Sequence, residues 1–474
     1  MPNSYLSRTY SGAGNRKTFT ISAWVKRSGI HSDAGTGQQD IIACSTASNT
    51  FFAVYFASND DSLVVYEAES GTTKMYIDFS NNQNTKLRDS TAWYHIVVAV
   101  DTTQATASDR LKLWVNNVLQ TPSNSTYPTQ NYDSLFNTAI RHDVGAQGSG
   151  FSAGTGAFDG YMSHVVVVDG TALTPSSFGE TDSSSGIWVF KSPSGLTFGT
   201  NGFHLKFENA GALGTDSSGN NHTFTVNGNL KQSVDTPTIS YVTMMKFDYG
   251  QQGTTANANA STGNLTVTGT GANWKGMYGA FGVDTGKWYY EAKMNGTASG
   301  SLGYAMGWVD PAFNTDDDIN SGTPSHKLYL RQGTIFYANN SGTNSYFGST
   351  SGGDIYMTAI DLDNNKVWFG VNGTWQNSGG SGSNTTTYSS TTLNPSYPDA
   401  TGVVVEDGGY KAGVYAPCAF CYGTGASINF NFGTGLFGTT AITSAGSNGN
   451  GSLFEYDVPS GFYALNTKNI NTYG

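Results

Sequence analysis

Apolar residues run along this chain in short stretches, and most stretches are closed by glycine, asparagine, aspartate or serine. Lys74-Met-Tyr-Ile-Asp-Phe79 alternates polar and apolar residues over part of its length, the period of a strand with one wet face. Leu111, Leu113 and Val115 fall on one side of a further strand, opposite Lys112 and Trp114, and Asn116-Asn117 can turn the chain after it. Phe51–Phe56 and Leu63–Tyr66 flank the turn cluster Ser58-Asn-Asp-Asp61. Met162–Val168 is an apolar strand closed by Asp169-Gly170, a dipeptide suited to a turn with positive φ. In the second half, strands are expected at Gly286–Lys293, Leu302–Val309, Asp354–Asp363, Lys366–Trp375 and Ser427–Phe432, with a hairpin at Asn364-Asn365. Strands at this spacing predict an all-β chain of two-sheet sandwiches.

Composition supports strands over helices. Glycine contributes 60 of 474 residues and charged residues only 12%, while aromatics reach 13%, enough for packed cores. The length predicts more than one domain, and Asp235-Thr-Pro237 interrupts the strand pattern, so the boundary is expected between Lys231 and Thr238. Residues 1–232 form one expected domain, ending in strand segments Asn201–Glu208 and Asp216–Val226, and 233–474 the other. The Gly/Ser/Thr-rich stretch Asn377–Thr401 reads as a long exposed loop.

A net charge of −11 without a Lys/Arg-rich run argues against nucleic-acid binding. No run of about 18 apolar residues offers a membrane span. The first residues carry neither a basic nor an apolar leader, so export by a signal peptide is not expected. Cys418 and Cys421 have zinc-ligand spacing, but no second pair accompanies them, and three-residue spacing in a strand points them to opposite faces. With Cys44 they are expected to be free thiols.

Catalytic signatures are sparse. Glu67/Glu69 and Asp361/Asp363 have the i, i+2 spacing of a retaining glycosidase pair, but such pairs more often sit on solvated strand faces. Glu180-Thr-Asp182 begins a Glu-x-Asp-x-x-Glu pattern that Ser185 interrupts. No nucleophile elbow or P-loop occurs, and His95 and His164, within apolar strands, are expected to be structural. Neither a catalytic residue nor a required cofactor is therefore expected. Tyr127, Tyr132, Tyr337, Tyr346, Tyr388 and Tyr397 lie in polar, turn-rich surroundings. They are candidates to stack on sugars from loop tips, although the same surroundings fit partial burial over a sheet edge.

Three segments in order, Phe19–Arg27, Trp93–Asp101 with Leu111–Val118, and Phe158–Pro175, resemble the laminin-G-like, concanavalin A-like jelly roll of bacteriophage virion proteins. Gly286-Lys-Trp-Tyr, Leu302–Val309 and the hairpin ending Val371-Asn-Gly-Thr-Trp375 resemble the SPRY domain, with Tyr456–Thr467 similar to its closing segment in phage proteins. The resemblance implies two such sandwiches in tandem, on a virion surface, made in host cytoplasm. It implies recognition of a host-surface glycan or protein from a tail fibre or appendage, with other virion proteins as partners and a homo-oligomer, trimeric in most fibres. A capsid-decorating or tail-assembly role and a polysaccharide depolymerase are the alternatives. Laminin-G-like domains often hold calcium on a loop rim, which makes Asn59, Asp60 and Asp61, or Asn314, Asp316, Asp317 and Asp318, its candidate ligands. The SPRY resemblance places a partner-binding rim at Asp310–Pro324 and Ala338–Gly352.

Overall fold

A computed structural model describes residues 4–30, 37–82, 85–245, 258–272, 274–297, 299, 301–310, 327–331, 334–337, 341–345, 351–364, 366–375 and 413–474. The chain divides into two units, one formed by Met1–Gln232 with Thr236–Thr238 and the other by Ser233–Asp235 with Ile239–Gly474.

In the first unit an eight-stranded antiparallel front sheet runs in the order Asn124–Thr126, Thr72–Asp78, Leu63–Glu69, Thr50–Phe56, Gln39–Ala47, Arg141–Val144, Tyr5–Thr9, Thr225–Asn227. A six-stranded back sheet runs Phe203–Leu205, Gly160–Asp169, Thr18–Arg27, Tyr94–Asp101, Leu111–Val115, Val118–Leu119. Alternation decides what lies between them. Leu111, Leu113 and Val115 point inward with Ile21, Val98 and Val165 to meet Val54, Val65 and Ile77 of the front sheet. Each such buried side chain contributes about 1.5–3 kcal/mol relative to exposure. The strands at 203–205 and 225–227 pair with Gly160–Asp169 and Tyr5–Thr9, so the connector belongs to this sandwich.

Much of the back sheet's outer face is covered, although Val118 and Leu119 of its edge strand stay exposed. Val97, Val166 and Val168 pack there under Phe178, with Leu173, Leu196 and Phe198 against them, and the hairpin Gly179–Thr181/Trp188–Phe190 folds over the same face. Gly179 makes this cover possible, because a Cβ there would meet the Trp188 ring at 2.4 Å.

In the second unit, a sheet containing Lys275–Gly279, Ala416–Tyr422, Gly303–Val309 and Lys327–Arg331 faces one containing Thr266–Gly269, Ser427–Asn431, Lys287–Met294, Ile355–Asp361 and Lys366–Val371. Trp288, Tyr290, Trp308 and Phe430 fill the space between, while Tyr289 and Trp375 pack on the outer face of their sheet beneath Phe454. The closing segment adds Tyr463–Ala464 in parallel to Trp288–Tyr289 and ends in the helix Thr467–Tyr473, whose first turn is capped by the Asn466 side chain. Cys418 and Cys421 sit on opposite faces of one strand, Cys421 in the main core and Cys418 against Tyr278 and Phe420, and neither forms a disulfide. The stretch Asn377–Thr401 lies outside the described residues.

Candidate functional site

With much of the back sheet covered, the front sheet carries an accessible face of the first unit. Its register aligns three outward rows. One runs Asp143, Ala43, Ala53, Tyr66, Tyr76; a second Asp40, Tyr55, Val64, Asp78, Asn124; a third Ser45, Phe51, Ala68, Thr73. The small and aliphatic members Ala43, Ala53, Val64 and Ala68 are buried by the larger residues around them, whereas Phe51, Tyr55, Tyr66 and Tyr76 are half-exposed.

Part of this face is roofed. After Arg141–Val144 the chain forms a loop held by Phe158 N–H to Gly145 O (3.0 Å) and Gln147 N–H to Thr155 O (2.8 Å). It docks on the sheet through Asp40 N–H to Gly156 O (2.8 Å), Ser149 Oγ to Ser45 O (2.8 Å) and Gly150 N–H to Ser45 Oγ (2.7 Å). Glycine is required where the loop touches down: a Cβ on Gly148 would lie 2.4 Å from Ser45 N, and one on Gly156 2.0 Å from Asp40 Oδ2. Asp40 and Asp143 are fully buried as a result. Burial pushes the Asp40 carboxyl well above its ordinary range, with Asp143 adding to the rise and the Gln38 amide opposing it. Asp143 receives a bidentate pair from Arg141, at 2.8 and 2.6 Å.

The open part is aromatic. Phe151 of the loop meets Phe51 edge-on (centroids 5.9 Å, 70°), Phe51 meets Tyr66 (4.9 Å, 87°), and Tyr66 meets Tyr76 (5.3 Å, 85°). At the end of this row Asp78 accepts from Tyr76 Oη (2.7 Å), Asn124 Nδ2 (2.9 Å) and the Ser80 amide (3.0 Å). Burial tends to raise its pKa, but these hydrogen bonds outweigh it and hold the carboxyl below its ordinary range. Aromatic faces beside fixed acceptors and amides are the equipment with which proteins hold sugars.

The tyrosines singled out from sequence fare differently. Tyr127 and Tyr132 are half-buried against the sandwich core, and Tyr132 Oη donates to Glu67 Oε1 at 2.8 Å, so its hydroxyl points inward and is not held at a loop tip. Tyr337 lies on the strand Thr334–Tyr337, while Tyr346, Tyr388, Tyr397, Asn314, Asp316, Asp317 and Asp318 lie outside the described residues, as does most of the expected SPRY rim.

The carboxylates at 60 and 61 face cations. Asp61 is buried against Arg27 at 2.7 Å, and Asp60 meets Lys86 at 2.9 Å while Asn59 is exposed. A calcium ion held by Asn59, Asp60 and Asp61 would have to displace two cationic side chains. Among the described residues, no three Asp, Glu, His or Cys side chains converge as a metal site would require.

The expected solvated carboxylate pairs also resolve into structural roles. Glu67 shares the core-facing side of its strand with Leu63 and Val65, whereas Glu69 ends the strand in solvent. Glu67 is fully buried, accepting from Tyr132 Oη, Ser134 Oγ (2.6 Å) and the Leu135 amide (2.7 Å), whereas Glu69 is exposed beside Lys74. Asp361 pairs with Lys287 at 2.9 Å and Asp363 accepts from the Gly286 amide. Asp182 closes its own turn on Ser184 and Ser185.

His95 is stacked between Trp24 (4.7 Å) and Trp188 (6.1 Å), with Trp188 Nε1 donating to Nδ1 at 3.1 Å and Nε2 within 2.8 Å of Ser22 Oγ. An N–H aimed at Nδ1 makes that nitrogen the acceptor and puts the imidazole proton on Nε2, the wrong tautomer for taking a proton from Ser22. Burial lowers the His95 pKa to about 3. His164 sits at positive φ in an irregularity of its strand, its Nδ1 3.1 Å from His204 Nε2.

Residues 3–177 match the family model of the concanavalin A-like lectin/glucanases superfamily. The N-terminal unit thus carries a concanavalin A-like domain, a fold suggestive of carbohydrate binding, within a chain built of β-sandwiches. Among solved structures, the SPRY domain of human HERC1 is 16% identical, covering 36% of this chain and 91% of its own, with a TM-score of 0.26. Domain 4 of AbnA, a GH43 extracellular arabinanase from Geobacillus stearothermophilus in complex with arabinotriose, is 16% identical, covering 35% of this chain and 65% of its own, with a TM-score of 0.25. No curated protein matches the chain.

Proposed function

We propose that this protein recognises a surface glycan without cleaving it, through the open aromatic face of its front sheet. The observation that carries this reading is the row Phe151, Phe51, Tyr66 and Tyr76 ending at Asp78 and Asn124, on the outward face of the front sheet. Binding without hydrolysis is supported by the state of the carboxylates. Glu67, Asp40 and Asp143 are fully buried, and Asp78 is held ionised, which suits an acceptor and does not suit a general acid. The setting we propose is a bacteriophage appendage that engages the host surface, with weak single sites reinforced by several copies. That setting rests on the resemblance of Phe19–Arg27, Trp93–Asp101 and Phe158–Pro175 to virion jelly rolls.

The test is a glycan array probed with labelled protein, repeated with Tyr66→Ala and Tyr76→Ala, with release of reducing ends measured on each bound glycan. Saturable binding lost in both variants, without new reducing ends, supports the reading. Binding to no glycan, or binding indifferent to both substitutions, overturns it, and turnover converts the assignment to a depolymerase. For the setting, unlabelled protein should block phage adsorption to cells that the labelled protein stains. Staining without competition would remove the appendage role.

A further inference from the structure

Resting on that reading of the front-sheet face, we infer that its ligand is an extended, uncharged glycan chain lying across the strands, gripped over several consecutive sugars. The rings come from neighbouring strands and the flanking loop, so the row they form crosses the sheet. Adjacent strands lie about 4.8 Å apart, so one step along the row advances a ligand by roughly one hexose. Because each ring stands edge-on to the next, only alternate rings can turn a face to the same ligand. Stacking therefore repeats on alternate sugars, and full engagement needs about three or more of them. A terminal monosaccharide would use one ring and leave the rest of the row wet.

Charge narrows the class. The row ends on the ionised Asp78, and the guanidinium of Arg141 is forked onto the buried Asp143. Lys74, at the opposite end of its strand, pairs with Glu69. A uronic or sialic acid chain would bring its carboxylates toward Asp78 with the nearby cations already paired, so neutral hexose or pentose chains are favoured.

The experiment is calorimetric titration of the intact chain with neutral oligosaccharide ladders of one to about six sugars, in the linkage series that the array selects, beside uronate-bearing analogues of equal length. Phe151→Ala is made in parallel, since this half-exposed loop side chain can be cut back without opening the core. Affinity should rise at least about tenfold from one sugar to about four and then level. Phe151→Ala should cost the longer ligands several-fold more than it costs the shortest binding ligand. Equal affinity for monosaccharide and hexasaccharide, or preference for the uronate ladder, overturns this inference while leaving glycan recognition intact. If no ladder binds and the array was also blank, the underlying reading falls instead.

Discussion

Tyr132 donates its hydroxyl proton to Glu67 across 2.8 Å, tying the loop that carries the tyrosine to a fully buried carboxylate on the front sheet. Ser134 Oγ and the Leu135 amide complete the set, so one glutamate gathers three donors from a single stretch of chain. Removing Tyr132 Oη with Phe should cost about 1–2 kcal/mol, whereas Glu67→Ala orphans every donor at once and should cost about 3 kcal/mol or more. Urea unfolding of the two variants checks the ranking. Equal losses would mean that the carboxylate is not the organising acceptor.

Glu291 plays the matching part in the second unit, accepting from the Glu455 and Tyr456 amides at 2.8 and 2.9 Å and from Tyr289 Oη. Burial raises its pKa to about 7, the hydrogen bonds opposing that rise. A carboxyl whose pKa is raised on folding keeps its proton better in the folded state. Its contribution is therefore fully present below about 4.5 and is lost as pH rises toward about 7, a swing of about 3 kcal/mol at most. The second unit of wild type should lose stability over that window relative to Glu291→Gln. Parallel pH profiles of the two proteins by chemical denaturation would contradict this.

His95 should resist protonation throughout the ordinary pH range, its pKa lying near 3 through burial. A lowered histidine pKa has the opposite sign from Glu291: the unfolded chain takes up the proton first. Stability from His95 is thus present above about 6.5 and is lost as pH falls toward about 3. Nitrogen NMR of the imidazole should report a neutral ring protonated on Nε2 at pH 6. Trp188→Phe removes the proton donor to Nδ1 and should release that tautomer preference.

Gly156 has a φ of +66° and no room for a side chain above Asp40. Gly156→Ala should displace the 145–158 loop and cost about 2 kcal/mol, through the strained φ and the contact with the carboxylate. Hydrogen exchange of that loop would rise, and glycan affinity would fall as Phe151 leaves Phe51. Wild-type exchange in the variant would refute the docking described for this loop.

Cys418 and Cys421 should stay reduced in the native protein and react with thiol reagents only after unfolding, since both are buried and burial pushes the Cys421 thiol up to about 12. Titration with and without denaturant settles it.

Strand positions were legible wherever one face was wet. Leu111, Leu113 and Val115 were assigned inward from alternation alone and lie in the core, and the cysteine pair was read to opposite faces. The candidate site was not legible, for a definite reason. In Phe51–Phe56 and Leu63–Tyr66 both faces are apolar or aromatic, so alternation cannot separate the core residues Phe52, Val54 and Val65 from the outward Phe51 and Tyr66. The row also joins Phe51, Tyr66, Tyr76 and Phe151, distant in sequence and brought together only by register and by a glycine-footed loop. Polar, turn-rich surroundings single out loop tyrosines instead, and Tyr132 among them turns its hydroxyl inward. Glu67 was misread because it lies on the core-facing side of its strand, where the donors that satisfy it, Tyr132, Ser134 and Leu135, come from a stretch far away in sequence.

The hairpin that Gly179 allows to close over the back sheet makes the two faces of the first unit unequal. A sandwich with two bare faces could bridge separate polymer strands and cross-link them by itself. With most of one face covered by its own chain, a copy of this unit that binds as proposed would grip a polymer through the front face. On the proposed reading, avidity from this unit would then be set by copy number and by the spacing between copies.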